Sequence, residues 1–338
     1  MLQFRPEKAI LLLGLFLLFI FVIFIVYFLV STSHLLLFFF PDTTSGWQKY
    51  DANPVLGDEL GTVFDCTVLK ENEHYRMWFS WREKKSIALT ESSDGIHWGY
   101  PEIVLSPTPD SNWETNVNRP VVLKKGNDYY MWYTGQTKNQ SFIGYATSKD
   151  GRIWERMNHP VISPEGGWEK TSVMCPFVMY EAESLNYRMW YSGGDQFEPS
   201  AIGYASSKDG INWIKDRNNP IFRPSAEYNW ENDRVSGAQV VKIDEWFIMF
   251  YIGFRDIHHA QIGLARSRNG ISGWERHPAN PIIRPGILLW DSDSVYKPFA
   301  LLENDQWFLW YNGRKGNVEK IGLVTHKGKD LGFPPQTD

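Results

Sequence analysis

Tyr187–Trp213 reads YRMWYSGGDQFEPSAIGYASSKDGINW. Tyr187, Met189 and Tyr191 fall on one face and Arg188, Trp190 and Ser192 on the other, which is the period of a β-strand. A loop through Asp195 leads to a second alternating strand, and a tight Lys208-Asp209-Gly210 turn leads into Trp213. The unit recurs as HYRMWFS…SIALTESSDGIHW from His74, YYMWYTG…FIGYATSKDGRIW from Tyr129, FIMFYIG…QIGLARSRNGISGW from Phe247 and FLWYNG…KIGLVTHKGKDLGF from Phe308. A repeat of roughly 55–60 residues with four strands per unit is the signature of a β-propeller. The five units predict an all-β fold, a five-bladed β-propeller over residues 46–338.

Trp154…His159-Pro160-Val161-Ile162, Trp213…Asn219-Pro220-Ile221-Phe222 and Trp274…Asn280-Pro281-Ile282-Ile283 mark outermost strands. The last unit lacks this segment, but Gly46–Leu56 carries it as Trp47…Asn53-Pro54-Val55-Leu56. The N-terminal strand is therefore expected to close the last blade, hiding edges that an open sheet would expose.

Ala9–Val30 is an apolar run long enough to span a bilayer as one transmembrane helix. Arg5 and Lys8 precede it, which places residues 1–8 in the cytoplasm and makes residues 9–30 a signal anchor. Residues 31–45 read as a juxtamembrane linker, with an interfacial patch at Leu35–Phe40. The propeller is then extracellular, periplasmic or lumenal, and the lipid bilayer is a partner through residues 9–30. The net charge of −5 leaves no basic stripe, so no nucleic-acid partner is expected. Cys66 and Cys175 fall in non-adjacent blades, beyond the roughly 7 Å Cα separation a disulfide tolerates, and read as free thiols. No cofactor or metal motif is found; the adjacent His258 and His259 cannot easily ligate one ion together.

Alignment on Trp78, Trp132, Trp190, Phe250 and Trp310 puts Asp65, Arg119, Cys175, Gly237 and Lys297 at one equivalent position at the start of the innermost strands. What recurs in every blade serves folding; what breaks the repeat at the mouth is free to serve function. The Ser-x-Asp-Gly-x-x-Trp turns at Asp94, Asp150 and Asp209 resemble Asp-box hairpins and read as scaffold. The acids of Trp113-Glu114, Trp168-Glu169, Trp230-Glu231 and Trp290-Asp291 read the same way. Asp65 is the only acid at its aligned position, and it is either a general base or nucleophile, or the ion-pair partner of Arg119 or Lys297. Asp233, Arg234 and Asp293 precede inner strands, where a second carboxylate is wanted. Asn118 and Tyr296 are placed to hydrogen-bond sugar hydroxyls. Arg82, Gln136, Asp195, Arg255, Asp256, His258, His259 and Arg314 fall on loops of the same face.

The blade number, the Met-Trp-Tyr strand, the Ile-Gly-Tyr-Ala strand and the Asn-Pro-Val strand resemble the five-bladed propeller glycosidases, families 43, 62, 32, 68 and 130, over about Trp47–Phe333. The resemblance to family 43 implies an Asp base in the first blade, a modulating Asp in the second and a Glu acid in the third. Asp65 matches the first, but Arg119 and Cys175 stand at or near the other two and cannot replace a carboxylate. An acid would then come from a shifted position such as Glu169, Asp233 or Asp293. The resemblance to family 130 phosphorylases implies basic residues that hold phosphate, a role open to Arg119, Arg234 and Lys297. Their Arg-Asp-Pro motif is absent, and Asn118-Arg119-Pro120 is a loose echo. The expectation is a membrane-anchored, extracytoplasmic glycoside hydrolase-like protein acting on a glycan or oligosaccharide. The alternatives are a glycoside phosphorylase and a non-catalytic carbohydrate-binding or scaffold propeller.

Overall fold

The computed structural model describes residues 18–22, 41–196 and 198–335. Among these, five antiparallel meanders follow one another, each running from an inner strand outward. The inner strands are Val63–Glu71, Asn116–Lys125, Ser172–Glu181, Arg234–Ile243 and Ser294–Glu303. The aromatic second strands are His74–Trp81, Asp128–Gln136, Asn186–Asp195, Trp246–Asp256 and Gln306–Lys315. Third strands and short outer strands complete each sheet, and Ser141 pairs with Ser172 to join the second and third meanders edgewise. The inner strands contact one another in chain order, and the fifth returns to the first.

Each consecutive pair of meanders encloses its own apolar core. Trp78, Trp132, Trp190 and Trp310 are fully buried there, each worth on the order of 2–3 kcal/mol of hydrophobic burial. Their indole N–H groups donate to the carbonyls of Gly151, Gly210, Gly270 and Gly95, the turn glycines of the next meander, at 2.8–3.0 Å. Those turns are built as the sequence predicts. Asp209 Oδ1 accepts the Ile211 and Asn212 amides at 2.9 and 2.7 Å, and Ser207 Oγ accepts the Gly210 amide at 2.9 Å. The Asn212 amide, with its side chain and the Ile211 amide, holds the Asp209 carboxyl well below the usual carboxylate range. Asp94 and Asp150 repeat the geometry, and Asn269 performs it in the fourth meander.

The N-terminal segment supplies the outer strand of the fifth meander: Gln48–Lys49 pairs with Thr325 and Val324. Asn53 caps the Leu323 amide at 2.8 Å, as Asn219 caps Tyr204 and Asn280 caps Leu264. Lys49 Nζ reaches the buried Asp291 carboxylate at 2.7 Å. Cys66 and Cys175 are buried free thiols. No helix among the described residues is long and apolar enough to cross a membrane. The expected cytoplasmic end, most of the expected span 9–30 and residues 31–40 lie outside the described residues. Within the span only 18–22 are described, a helical stretch with all five apolar side chains exposed.

Deleting residues 46–56 should abolish cooperative unfolding in calorimetry, because the third strand of the fifth meander then loses its cover. Lys49→Met should cost roughly 3 kcal/mol or more in chemical denaturation, since it strands a buried carboxylate. An unchanged transition in either variant would contradict this closure.

Candidate active site

The five aligned positions share one backbone state. Asp65, Arg119, Cys175, Gly237 and Lys297 all have φ between 50° and 59°. Each sits in a β-bulge, where inner-strand pairing slips by one residue. Holding a non-glycine residue in the left-handed region costs on the order of 1–3 kcal/mol, and the next meander back offsets it. Ser80 Oγ accepts the Arg119 amide at 2.7 Å, Thr134 Oγ1 that of Cys175 at 3.1 Å, and Ser192 Oγ that of Gly237 at 2.9 Å. The first meander receives Asn312 Oδ1 on its Asp65 amide at 2.9 Å.

Asn312 differs from the hydroxyls because its second atom also donates. Its Nδ2 reaches Asp65 Oδ1 at 2.5 Å, while Arg119 Nε meets Asp65 Oδ2 at 3.1 Å. Asp65 is only 2 % exposed, so both oxygens are held in fixed directions. Arg119 also donates to Asn118 Oδ1 at 2.6 Å, and Asn118 donates to Gln136 at 2.5 Å. Burial pulls the Arg119 guanidinium down, but Cys175, Asp65, Glu319 and Tyr296 together raise its hold on its proton. Glu319 accepts from both Tyr296 Oη and Arg82. Burial first, and then Glu319, drives the half-buried Tyr296 phenol far above its ordinary range, so it stays a donor. Burial pushes the Cys66 thiol up to about 12. It also raises Cys175 against the pull of Arg119 and Lys297, so neither thiol is primed as a nucleophile. A small cleft lined by Phe64, Ser80, Arg82, Asn118, Arg119 and Gln136 opens beside the cluster.

The structure thus gathers two bonded groups, Asp65–Arg119–Asn118 and Tyr296–Glu319–Arg82, close enough for Glu319 and Tyr296 to act electrostatically on Arg119. Lys297, buried on the same ring, acts on both thiols. The other expected residues lie elsewhere. Glu169 accepts from Tyr191 Oη and Lys215 Nζ at 2.7 Å each, a buried clamp that Glu114, Glu231 and Asp291 repeat. Its carboxylate is committed to scaffold because both oxygens are partnered away from the ring. Asp233 pairs with Arg234, Asp293 caps the Gly316 amide, and Asp195 pairs with Lys170, all on rim loops. Arg255 turns to Asp256, and the His258 amide donates to Asp256 Oδ1 at 2.9 Å. Among the described residues no three His, Cys, Asp or Glu side chains converge as a metal site.

Sequence reasoning missed Glu319 and Asn312. Both break the repeat: Glu319 is the only acid two residues before the Ile-x pair of a third strand, and Asn312 stands where other meanders have Ser80, Thr134, Ser192 or Ile252. Applying the aligned-position test to the second and third strands would have found them. Asn312→Ser should keep the backbone cap but remove the donor to Asp65. Denaturation should show a loss of roughly 1.5–3 kcal/mol, the range for a hydrogen bond to a charged group. Thr134→Ser, which keeps its cap and loses one buried methyl, should cost no more than about 1 kcal/mol.

Comparison with known proteins agrees with this architecture. The chain is 25% identical over 233 residues to the 1,2-β-oligomannan phosphorylase of Thermoanaerobacter sp. (strain X514), covering 65% of this chain and 73% of that protein. A solved glycoside hydrolase superposes with a TM-score of 0.69 at 19% identity, over 86% of this chain and 95% of its own. The β-1,2-mannobiose phosphorylase of Listeria innocua superposes with a TM-score of 0.65 at 14% identity, over 83% and 96%. These two likenesses are of fold. The sequence profile of glycosyl hydrolases family 43 matches residues 52–325, and the chain therefore belongs to that family.

Proposed function

We propose that this chain is an extracytoplasmic, membrane-anchored enzyme that cleaves glycosidic bonds in the axial mouth of a closed five-bladed propeller. Asp65 is its general base. The observation that carries the reading is the setting of Asp65. It is the one acid on a ring of five equivalent backbone positions, and Asn312 and Arg119 fix the direction of both its oxygens. In hydrolysis, Asp65 takes a proton from the water whose oxygen bonds to the anomeric carbon as the glycosidic C–O bond breaks, and the departing aglycone oxygen takes its proton from solvent. Tyr296 and Asn118 bind sugar hydroxyls. Glu319, missed by sequence, holds Tyr296 and Arg82 in place.

A specific feature favours phosphorolysis as a second reading. The ring carries two cations, Arg119 and Lys297, against one acid, which suits an attacking phosphate whose oxygen becomes bonded to the anomeric carbon. The phosphorylase relative adds weight, and its name makes β-1,2-linked mannosides the first substrates to try. The deciding experiment incubates the protein with such oligosaccharides, among a wider panel, with and without phosphate. Free reducing sugar alone supports hydrolysis; a sugar phosphate that appears only with phosphate supports phosphorolysis. No turnover with any glycan would leave a binder.

Asp65→Asn should lower turnover by roughly 10²–10⁴ while substrate affinity changes little. The same change takes from the half-buried Arg119 its carboxylate partner, so the melting temperature should also fall. Turnover per folded molecule separates the two effects, and parity with the parent would remove Asp65 from catalysis.

Anchoring rests on the length of Ala9–Val30 and the Arg5 and Lys8 that precede it. Protease added outside intact cells, once any outer barrier is opened, should digest the propeller and leave a membrane-embedded N-terminal stub. A mature soluble protein beginning near Ser33 would show a cleaved signal instead.

A further inference from the structure

The last residues of the expected linker, from Asp42, are fastened to one edge of the domain. Thr43 bridges to Ile283, the Thr44 amide donates to Ile282 O at 3.0 Å, and the Arg284 amide donates to Asp42 O at 2.7 Å. Lys49 Nζ ties Asp42 and Arg284 O to the closing strand at 3.0 and 2.9 Å. Arg284 begins the loop that enters the fifth inner strand. That loop is bonded into the mouth rim: Ser294 Oγ and Arg314 Nη2 both donate to His258 O, at 2.6 and 2.9 Å, and the Gly316 amide donates to Asp293 at 2.7 Å. Lys315 Nζ donates to Leu288 O at 3.4 Å. The chain therefore arrives at the mouth side of the fourth and fifth meanders.

The same three linked loops expose Leu288 at 71%, Ile257 at 48% and Val318 at 44%. Arg255 and Lys315 are exposed on the same loops. Apolar tips among cations are the composition that settles into a headgroup region, the tips entering the acyl boundary and the cations meeting lipid phosphate. Tether length agrees. Residues 31–40, even fully extended, reach at most about 35 Å at 3.3–3.6 Å per residue. Six of those ten, Leu35–Phe40, are apolar and favour the interface themselves.

We infer that the rim formed by Ile257, Leu288 and Val318 rests on the extracytoplasmic surface of the bilayer that anchors the chain. The mouth then opens beside lipid headgroups and meets glycans carried on that membrane. The inference rests on reading residues 9–30 as an anchor. The full-length protein carrying Leu288→Cys or Ile257→Cys, labelled with an environment-sensitive dye, is reconstituted into phosphatidylcholine–phosphatidylglycerol vesicles containing nitroxide-tagged phospholipid. Ile153→Cys, 76% exposed in the turn of the second meander, is the control, and the native thiols are buried. Loss of fluorescence at 288 and 257 but not at 153 is the expected result. Vesicle flotation is read on the same samples. Protein that floats with no quenching at 288 and 257, or with equal quenching at 153, overturns the inference and leaves the anchor standing. Protein that does not float overturns both.

Discussion

Every inner strand must break its regular pairing at one position without losing the ladder that holds its meander together. The bulge at Asp65, Arg119, Cys175, Gly237 and Lys297 meets that demand, and the rest of the site depends on it. A left-handed residue frees one backbone N–H from the ladder, and a buried free donor is costly. Ser80, Thr134, Ser192 and Asn312 accept that donor from the neighbouring second strand, so the bulge also locks consecutive meanders together. Because the backbone need is met by the cap, the bulged side chain is left free to vary. The ring is therefore where chemistry can change while the fold stays the same.

Carboxylates in this molecule divide by their partners rather than by type. Glu114, Glu169, Glu231 and Asp291 each receive a tyrosine hydroxyl from the second strand and a cation from an outer strand, Lys49 serving the last. Burial and the adjacent acid push Tyr133, Tyr191, Tyr251 and Tyr311 well upward, so these phenols donate at any ordinary pH. Such clamps tie the outer strand to the core of the second to fifth meanders. Asp65 and Glu319 are bonded instead across the seam between the fifth and first meanders. Their donors, Asn312, Arg119, Tyr296 and Arg82, have no counterpart in the repeat.

This division explains what could be read from sequence. Strand period, the Asp-box turns and the Asn53 segment closing the fifth meander were legible because each is a local pattern repeated several times. The ring was legible too, since alignment on Trp78 and its equivalents fixes the bulge register. Asn312 and Glu319 escaped because their meaning lies in contacts 247 and 237 residues away in the chain. No local pattern announces such a contact. Glu169 carried two readings, scaffold and shifted acid, because Tyr191 and Lys215, which occupy it, come from other strands.

The fourth-to-fifth seam departs most from the repeat, and its departures are connected. Phe250 replaces the tryptophan that elsewhere donates to a turn carbonyl, and the fifth meander has no Asp-box turn to receive it. Packing substitutes for that bond: Phe250 lies edge-on to Trp47 at 5.9 Å and against Trp307 at 5.6 Å. Trp47 belongs to the closing segment, so the apolar seam and the closure are one construction. Ile252 takes the capping position here, which leaves the Lys297 bulge without the side-chain acceptor that its four counterparts have. In exchange the stem of Lys297 runs past Gly237, where a Cβ would meet its Cδ at 3.3 Å and crowd Ile252 more closely still. A side chain at 237 would displace Lys297 or the seam. The one ring position with no side chain is thus the condition for the buried ammonium beside it.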